Sequence, residues 1–141
     1  MTKTNPTVNF FIEVAKFQTK IGRRLDSGLN GISLNEFIIM YHLSQNPGNK
    51  MRRVDLADKL GLTASGITRL LLPMEKIGLV TRESDENDAR VSYVVLARGG
   101  QTKFTEGLER LEIFGEELIP SSKTKKIEET TKLINELSRV I

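Results

Sequence analysis

The chain has no cysteine and a single histidine. Without thiols it can form no disulfide, no thiol redox switch and no cysteine-ligated zinc centre, and one imidazole cannot build a histidine-rich metal site. No metal and no other cofactor is therefore expected. A run of eighteen apolar residues is also missing, so no membrane-spanning helix is expected, and the N-terminus MTKTNPTVNF lacks the apolar core of a signal peptide. Both absences point to a cytoplasmic protein. Catalysis has no evident foothold: no nucleophile stands beside a base, no glycine-rich phosphate loop follows a strand, and His42 sits inside a helical pattern. An enzyme is not expected.

Bulk charge is lacking too. Lys+Arg 21 against Asp+Glu 18 leaves net +3, far from a histone-like excess, so any grip on nucleic acid must come from where the charges sit. Between Lys50 and Arg90 eight basic residues stand against seven acidic ones, which predicts modest non-specific affinity with a shallow salt dependence. At 141 residues the chain can bury one core but not two independent ones, so a single folding unit over 1–141 is expected.

What is present is concentrated in Arg53 to Leu72, RVDLADKLGLTASGITRLLL. A first helix would present Val54, Leu56, Ala57 and Leu60 inward, with Ala57 small enough for close approach of a second helix. Gly61 follows, a residue that accepts a left-handed backbone just past a helix end, and Leu62 would seal the turn. Thr63 can cap the second helix, while Ile67 and Leu70 point inward. The opposite face carries Ser65, Thr68 and Arg69, short donors and a guanidinium of the kind that read base edges and grip phosphates in a major groove. The spacing therefore predicts a helix-turn-helix and a DNA reader. The rival reading is a winged-helix protein-interaction module without DNA binding, which would tolerate loss of Arg69 and Arg90.

Around this unit the pattern is mainly α. Asn5 and Pro6 suit the start of a helix with Phe10, Val14, Phe17, Ile21 and Leu25 on one stripe. Ser33 and Glu36 form a capping box for a helix carrying Phe37, Ile38, Tyr41 and Leu43, ended by Asn46, Pro47 and Gly48. Pro73 lies inside the stretch from Ala64 to Ile77, where it cannot donate to the Arg69 carbonyl, so a kink or irregular turn is expected there, with Met74, Ile77 and Leu79 still reaching the core. Beta-formers at Leu79 to Arg82 and Val91 to Leu96 flank the polar loop ESDENDAR, predicting a small β-hairpin wing. Phe104, Leu108, Leu111, Phe114 and Leu118 recur at helical spacing up to Pro120, and Ser121 or Ser122 can cap a last helix with Ile127, Leu133, Ile134, Leu137 and Val140. Apolar stripes on both terminal segments lie outside the compact reading unit, so their burial in a homodimer is expected. Such a dimer would offer two reading helices to half-sites about 34 Å apart on a near-palindromic operator. Lys16, Lys20, Arg23 and Arg24 read as a solvated helix face.

The phrases LADKLGLTASGITRLL, MEKIGLVTRESDENDAR and LARGG, following the capped helix at Ser33, resemble the winged-helix regulators of the multiple antibiotic resistance (MarR) type over nearly the whole chain. The resemblance implies a winged helix-turn-helix lobe over 33–97 and dimerisation helices over 5–29 and 98–141. It implies a homodimeric bacterial transcription regulator, usually a repressor, with the fourth helix in the major groove of double-stranded DNA. The wing arginine, here Arg90, would enter the minor groove, held by an aspartate two residues earlier, here Asp88. Thr63, Ser65, Thr68, Arg69, Asp88 and Arg90 are thus the candidate DNA-binding residues. Similar proteins often release DNA when a small aromatic or amphipathic effector binds between the dimerisation helices and the reading lobe. The candidates here are Phe10, Phe17, Tyr41 and His42, against the plainer reading that aromatics at helical spacing are core. Two departures stand out. Ala97 replaces the usual capping threonine before the long fifth helix, and Glu83, Asp85, Glu86 and Asp88 crowd the wing loop, where unpaired carboxylates would repel phosphates.

Overall fold

In the computed structural model, which describes residues 1–141, the Asn5 side chain accepts from the Val8 amide at 2.9 Å and Pro6 takes the first position of α1 (Pro6–Asp26). The predicted capping box opens α2 (Leu34–Gln45): the Ser33 hydroxyl accepts from the Glu36 amide, and the Glu36 carboxylate accepts from the Ser33 amide at 2.8 Å. Because α2 is apolar nearly all round, it is the central helix of the core. Phe37, Ile39, Met40 and Leu43 are buried in it, whereas Tyr41, expected on the inner stripe, is 43 % exposed.

A short strand β1 (Lys50–Met51) precedes α3 (Arg53–Leu60) and α4 (Ala64–Lys76), then β2 (Val80–Ser84), β3 (Ser92–Leu96), α5 (Arg98–Leu118) and α6 (Thr124–Ser138). The expected two-stranded hairpin is a three-stranded antiparallel sheet ordered β1-β3-β2. Lys50 pairs with Val95 in β3, and Val80 pairs with Leu96 on its other side. Two residues are too short a run to be recognised in a sequence, and β1 exists because β3 offers it a ladder.

The turn between α3 and α4 follows its expected chemistry. Gly61 adopts φ 69 at the end of α3, the left-handed region that costs glycine nothing, and Thr63 caps α4 by accepting from the Gly66 amide at 3.1 Å. Leu56, Ala57, Ile67, Leu71 and Met74 are buried at the crossing. Three side chains expected inward are not. Val54 is 59 % exposed, since it lies two residues, or about 200° around the helix, from Leu56. Leu62 is 38 % exposed at the turn, and Ile77 is 66 % exposed just past the end of α4.

No break occurs at Pro73. α4 runs unbroken from Ala64 to Lys76 with Pro73 inside it, so the irregular turn expected there does not form. The proline stands in the last turn, so only the Arg69 carbonyl loses its donor, and the fully buried Leu71 and Met74 on either side hold the backbone in register. The last helix is also corrected. Neither serine caps it: Ser121–Lys123 form one 3-10 turn, and α6 starts behind Lys123 without a side-chain cap.

Eighteen buried hydrophobic residues form one core, from Leu25 at the end of α1 to Phe104 in α5. Gly100 lets α5 reach it, because a Cβ there would stand 2.1 Å from the Leu79 carbonyl oxygen. The missing threonine at Ala97 leaves α5 without a side-chain cap. The helix start is anchored otherwise, by the Ala97 amide donating to the Leu79 carbonyl at 3.0 Å. By contrast α6 has no buried residue, and Phe11, Ile12 and Phe17 on α1 are more than half exposed. No helix is long and apolar enough to cross a membrane.

Candidate nucleic-acid interface

The outer face of α4 carries three of the candidates. Ser65 and Arg69 are exposed and four residues apart, hence on one side of the helix, and Thr68 is half-buried between them. The two threonines are partly committed. The Thr63 hydroxyl accepts from the Gly66 amide and lies 3.2 Å from the Ser65 hydroxyl, while Thr68 donates to the Ala64 carbonyl at 3.1 Å. The side chains on this face that no backbone group occupies are those of Ser65 and Arg69. Arg53, not among the candidates, donates to the Thr68 hydroxyl from α3 at 3.3 Å and so braces the face from behind.

Asp88 and Arg90 are joined at the wing tip. The Arg90 Nε donates to Asp88 Oδ1 at 3.1 Å and its Nη2 to Oδ2 at 3.3 Å, with the Arg90 amide also bonded to Oδ1 at 3.0 Å. The guanidinium bonding, with the backbone amide second, holds the Asp88 carboxyl below its ordinary pKa. Even so paired, the Arg90 side chain is 90 % exposed. A two-point hold of this kind orients the arginine without hiding it, which lowers the rotamer entropy lost on insertion into a groove.

The crowded wing carboxylates are largely engaged. Glu83 pairs with Lys50 at 2.9 Å, and Lys50 in turn lies 4.8 Å from the centre of the Tyr93 ring. The Tyr93 hydroxyl donates to Asp85 at 2.8 Å, and Asp85 also accepts from the Asn87 and Asp88 amides. These bonds, Tyr93's first, lower the Asp85 pKa, and the same contact raises that of Tyr93. The hydrogen bond with Glu83 raises that of Lys50. Glu86 alone of the four forms no side-chain hydrogen bond or ion pair. The feared repulsion is therefore met by internal pairing, which the sequence shows only as residues of both signs near one another.

The effector candidates do not form one cluster of rings. Phe10 is half-buried against Phe11 at 5.8 Å between ring centres, and Phe17 is 56 % exposed along α1. Tyr41 and His42 meet edge to face at 5.1 Å on α2, and Tyr41 also lies 6.4 Å from Phe104. Burial, with Lys59 second, pushes the His42 pKa below its ordinary value, so the ring is neutral at pH 7. Arg52, Arg53 and Arg82, which the sequence did not single out, line a cleft with Arg90 between α3 and the wing. Paired arginines at the start of α3 were the available signal, but their neighbourhood to the wing depends on the tertiary fold.

A family model described as the MarR family matches residues 32–92. No curated protein matches the chain. Among solved structures, the transcriptional regulator BldR from Sulfolobus solfataricus superposes with a TM-score of 0.86 at 24 % identity, covering 100 % of both chains. A MarR family transcriptional regulator from Streptomyces coelicolor in complex with DNA gives 0.76 at 18 % identity, over 96 % of this chain and 90 % of that one. A mutant of MarR from E. coli complexed with operator DNA gives 0.77 at 18 % identity, over 95 % and 99 %.

Proposed function

This chain carries a MarR-family domain over residues 32–92, and we propose that it is a cytoplasmic, homodimeric, sequence-specific regulator of transcription, acting as a repressor on double-stranded DNA. α4 enters the major groove with Ser65, Thr68 and Arg69 toward the bases and phosphates, and Thr63 sets the start of that helix. The wing places Arg90 in the adjacent minor groove, where a narrow groove concentrates negative potential. The observation that carries this reading is the two-point Asp88–Arg90 pair on a side chain that is 90 % exposed. An arginine held this firmly in the open has no fold to stabilise and is already arranged for an anionic surface.

Dimerisation follows from the uncovered apolar faces of α1 and α6. A helix such as α6, with Ile127, Leu133, Ile134 and Leu137 all at least 40 % exposed, gains little in water alone and is stabilised by a partner's apolar surface. The two-fold axis then sets two reading helices about 34 Å apart. Release from the operator by a small aromatic or amphipathic effector completes the proposal, with Phe10, Phe17, Tyr41 and the neutral His42 as its contacts.

Selection of bound sites from random duplexes, followed by gel shifts, tests the binding reading. A near-palindromic site is expected, with Arg90→Ala and Arg69→Ala each weakening it by about ten-fold or more. Unchanged affinity in both variants rejects the assigned roles. A small phenol that leaves the operator complex intact at every concentration tried rejects the effector reading only.

A further inference from the structure

One guanidinium beside the wing has no anionic partner. Arg53 is half-buried, its side chain's single hydrogen bond goes to the neutral Thr68 hydroxyl, and no ion pair in the protein includes it. The three other guanidinium groups along the same cleft are each matched, Arg52 with Asp55 at 3.3 Å, Arg82 with Glu75 at 2.6 Å and Arg90 with Asp88 at 3.1 Å. The cleft is open, about 410 Å³ in volume, and no carboxylate lines it. A cation that is partly withdrawn from water and has no counter-charge carries a desolvation cost, which an anion entering the cleft would offset.

We propose that this cleft seats a backbone phosphate of the duplex, with Arg53 as its principal contact. The inference rests on the DNA-binding reading above and adds a site to it. Arg53 touches the reading helix through Thr68, while Arg82 and Arg90 on the other wall belong to the wing. A strand passing from the groove read by α4 to the groove entered by Arg90 must cross between those walls, and what it presents there is its phosphates. The planar fork of an arginine matches two phosphate oxygens, and the Thr68 hydroxyl fixes that fork before the duplex arrives. Such a contact sets register and affinity and carries no sequence information itself.

Salt titration of binding tests it. Arg53→Gln is expected to weaken a selected site and an unrelated duplex by a similar factor, and to flatten the slope of log K against log salt by about 1.8, or about 0.9 for the one phosphate that each protomer of the dimer loses. Arg53→Lys, which keeps the charge, should restore most of the slope. If Arg53 acted only by bracing Thr68, affinity would change with the slope intact, and that result overturns the proposal. A second arm uses the unaltered protein with duplexes carrying one neutral methylphosphonate linkage at a time. One linkage per half-site, between the two contacted grooves, should cost affinity in the natural protein and cost nothing further in Arg53→Gln. Indifference of the natural protein to every such linkage overturns the proposal even where the variant does not fold. Failure of the natural protein to bind any duplex overturns the DNA-binding reading together with this one, and is distinguishable from intact binding with an unchanged slope.

Discussion

The Tyr93 hydroxyl on β3 donates to the Asp85 carboxylate at the start of the wing loop at 2.8 Å. The same carboxylate accepts from the amides of Asn87 and Asp88, so one side chain ties the sheet to the turn that delivers Asp88 and Arg90. The loop is closed further by the Asp85 amide donating to the Val91 carbonyl and the Val91 amide to the Asp88 carbonyl, both at 3.0 Å. Wing geometry thus depends on a tyrosine that need not touch DNA.

Tyr93→Phe removes only that hydroxyl. It is expected to lower the melting temperature slightly, since Asp85 keeps its two amide bonds, while weakening operator binding by about five-fold, because Arg90 is then presented from a looser loop. Fluorescence anisotropy with a labelled operator measures this, and affinity equal to that of the natural protein would show that the wing needs no such tie.

Acid should loosen the wing in a defined window. Asp85 and Asp88 both have pKa values lowered in the folded protein, by Tyr93 and Arg90 respectively. A lowered carboxylate contributes stability that is complete above its unfolded value, near 4, and is lost as pH falls through the folded value. Their contribution is therefore flat from neutral pH to about 4 and declines below it. Thermal melts in that acid range should show a shallower loss for Asp85→Asn than for the natural protein, and identical slopes would contradict the assignment.

Gly100 has no room for a side chain. A Cβ would lie 2.1 Å from the Leu79 carbonyl oxygen and 2.7 Å from Leu96 Cδ1, and backbone cannot yield by that much without separating α5 from the sheet. Gly100→Ala is expected to destabilise the protein by about 3 kcal/mol or more, read from urea unfolding. A loss under about 1 kcal/mol would mean that the α5 start shifts freely.

Pro73 leaves the Arg69 carbonyl without its helical donor. It is also exposed, so Pro73→Ala restores that bond without altering the core, and stability should rise by about 1–3 kcal/mol. The comparison is between urea midpoints, and a decrease would show that the proline makes contacts of its own worth more than the bond.

Leu137→Glu places a charge on the apolar side of α6, a helix with no fully buried residue in the protomer. The expected result is a folded monomer in sedimentation, with helical content nearly kept and operator affinity reduced because one reading helix no longer brings the second. A dimer unaffected by this change would move the interface away from α6.

Much of the architecture is a local matter, and the sequence determines it alone. Asn5 with Pro6, Ser33 with Glu36, and Gly61 followed by Thr63 set helix ends through hydrogen bonds and backbone angles that involve neighbours only. Asp88 and Arg90, two residues apart, belong to the same class. Other features depend on what lies across space. Tyr41 and Ile77 carry side chains indistinguishable by type from buried ones, and only the packing partners decide that they face outward. β1 exists because β3 lies beside it, and Lys50 with Glu83 is a pair formed across 33 residues. The continuity of α4 through Pro73 was decided by burial of Leu71 and Met74, which outweighs one missing hydrogen bond. The unpartnered Arg53 is the clearest instance, since the absence of a counter-charge is a property of its surroundings and no residue in the chain spells it out.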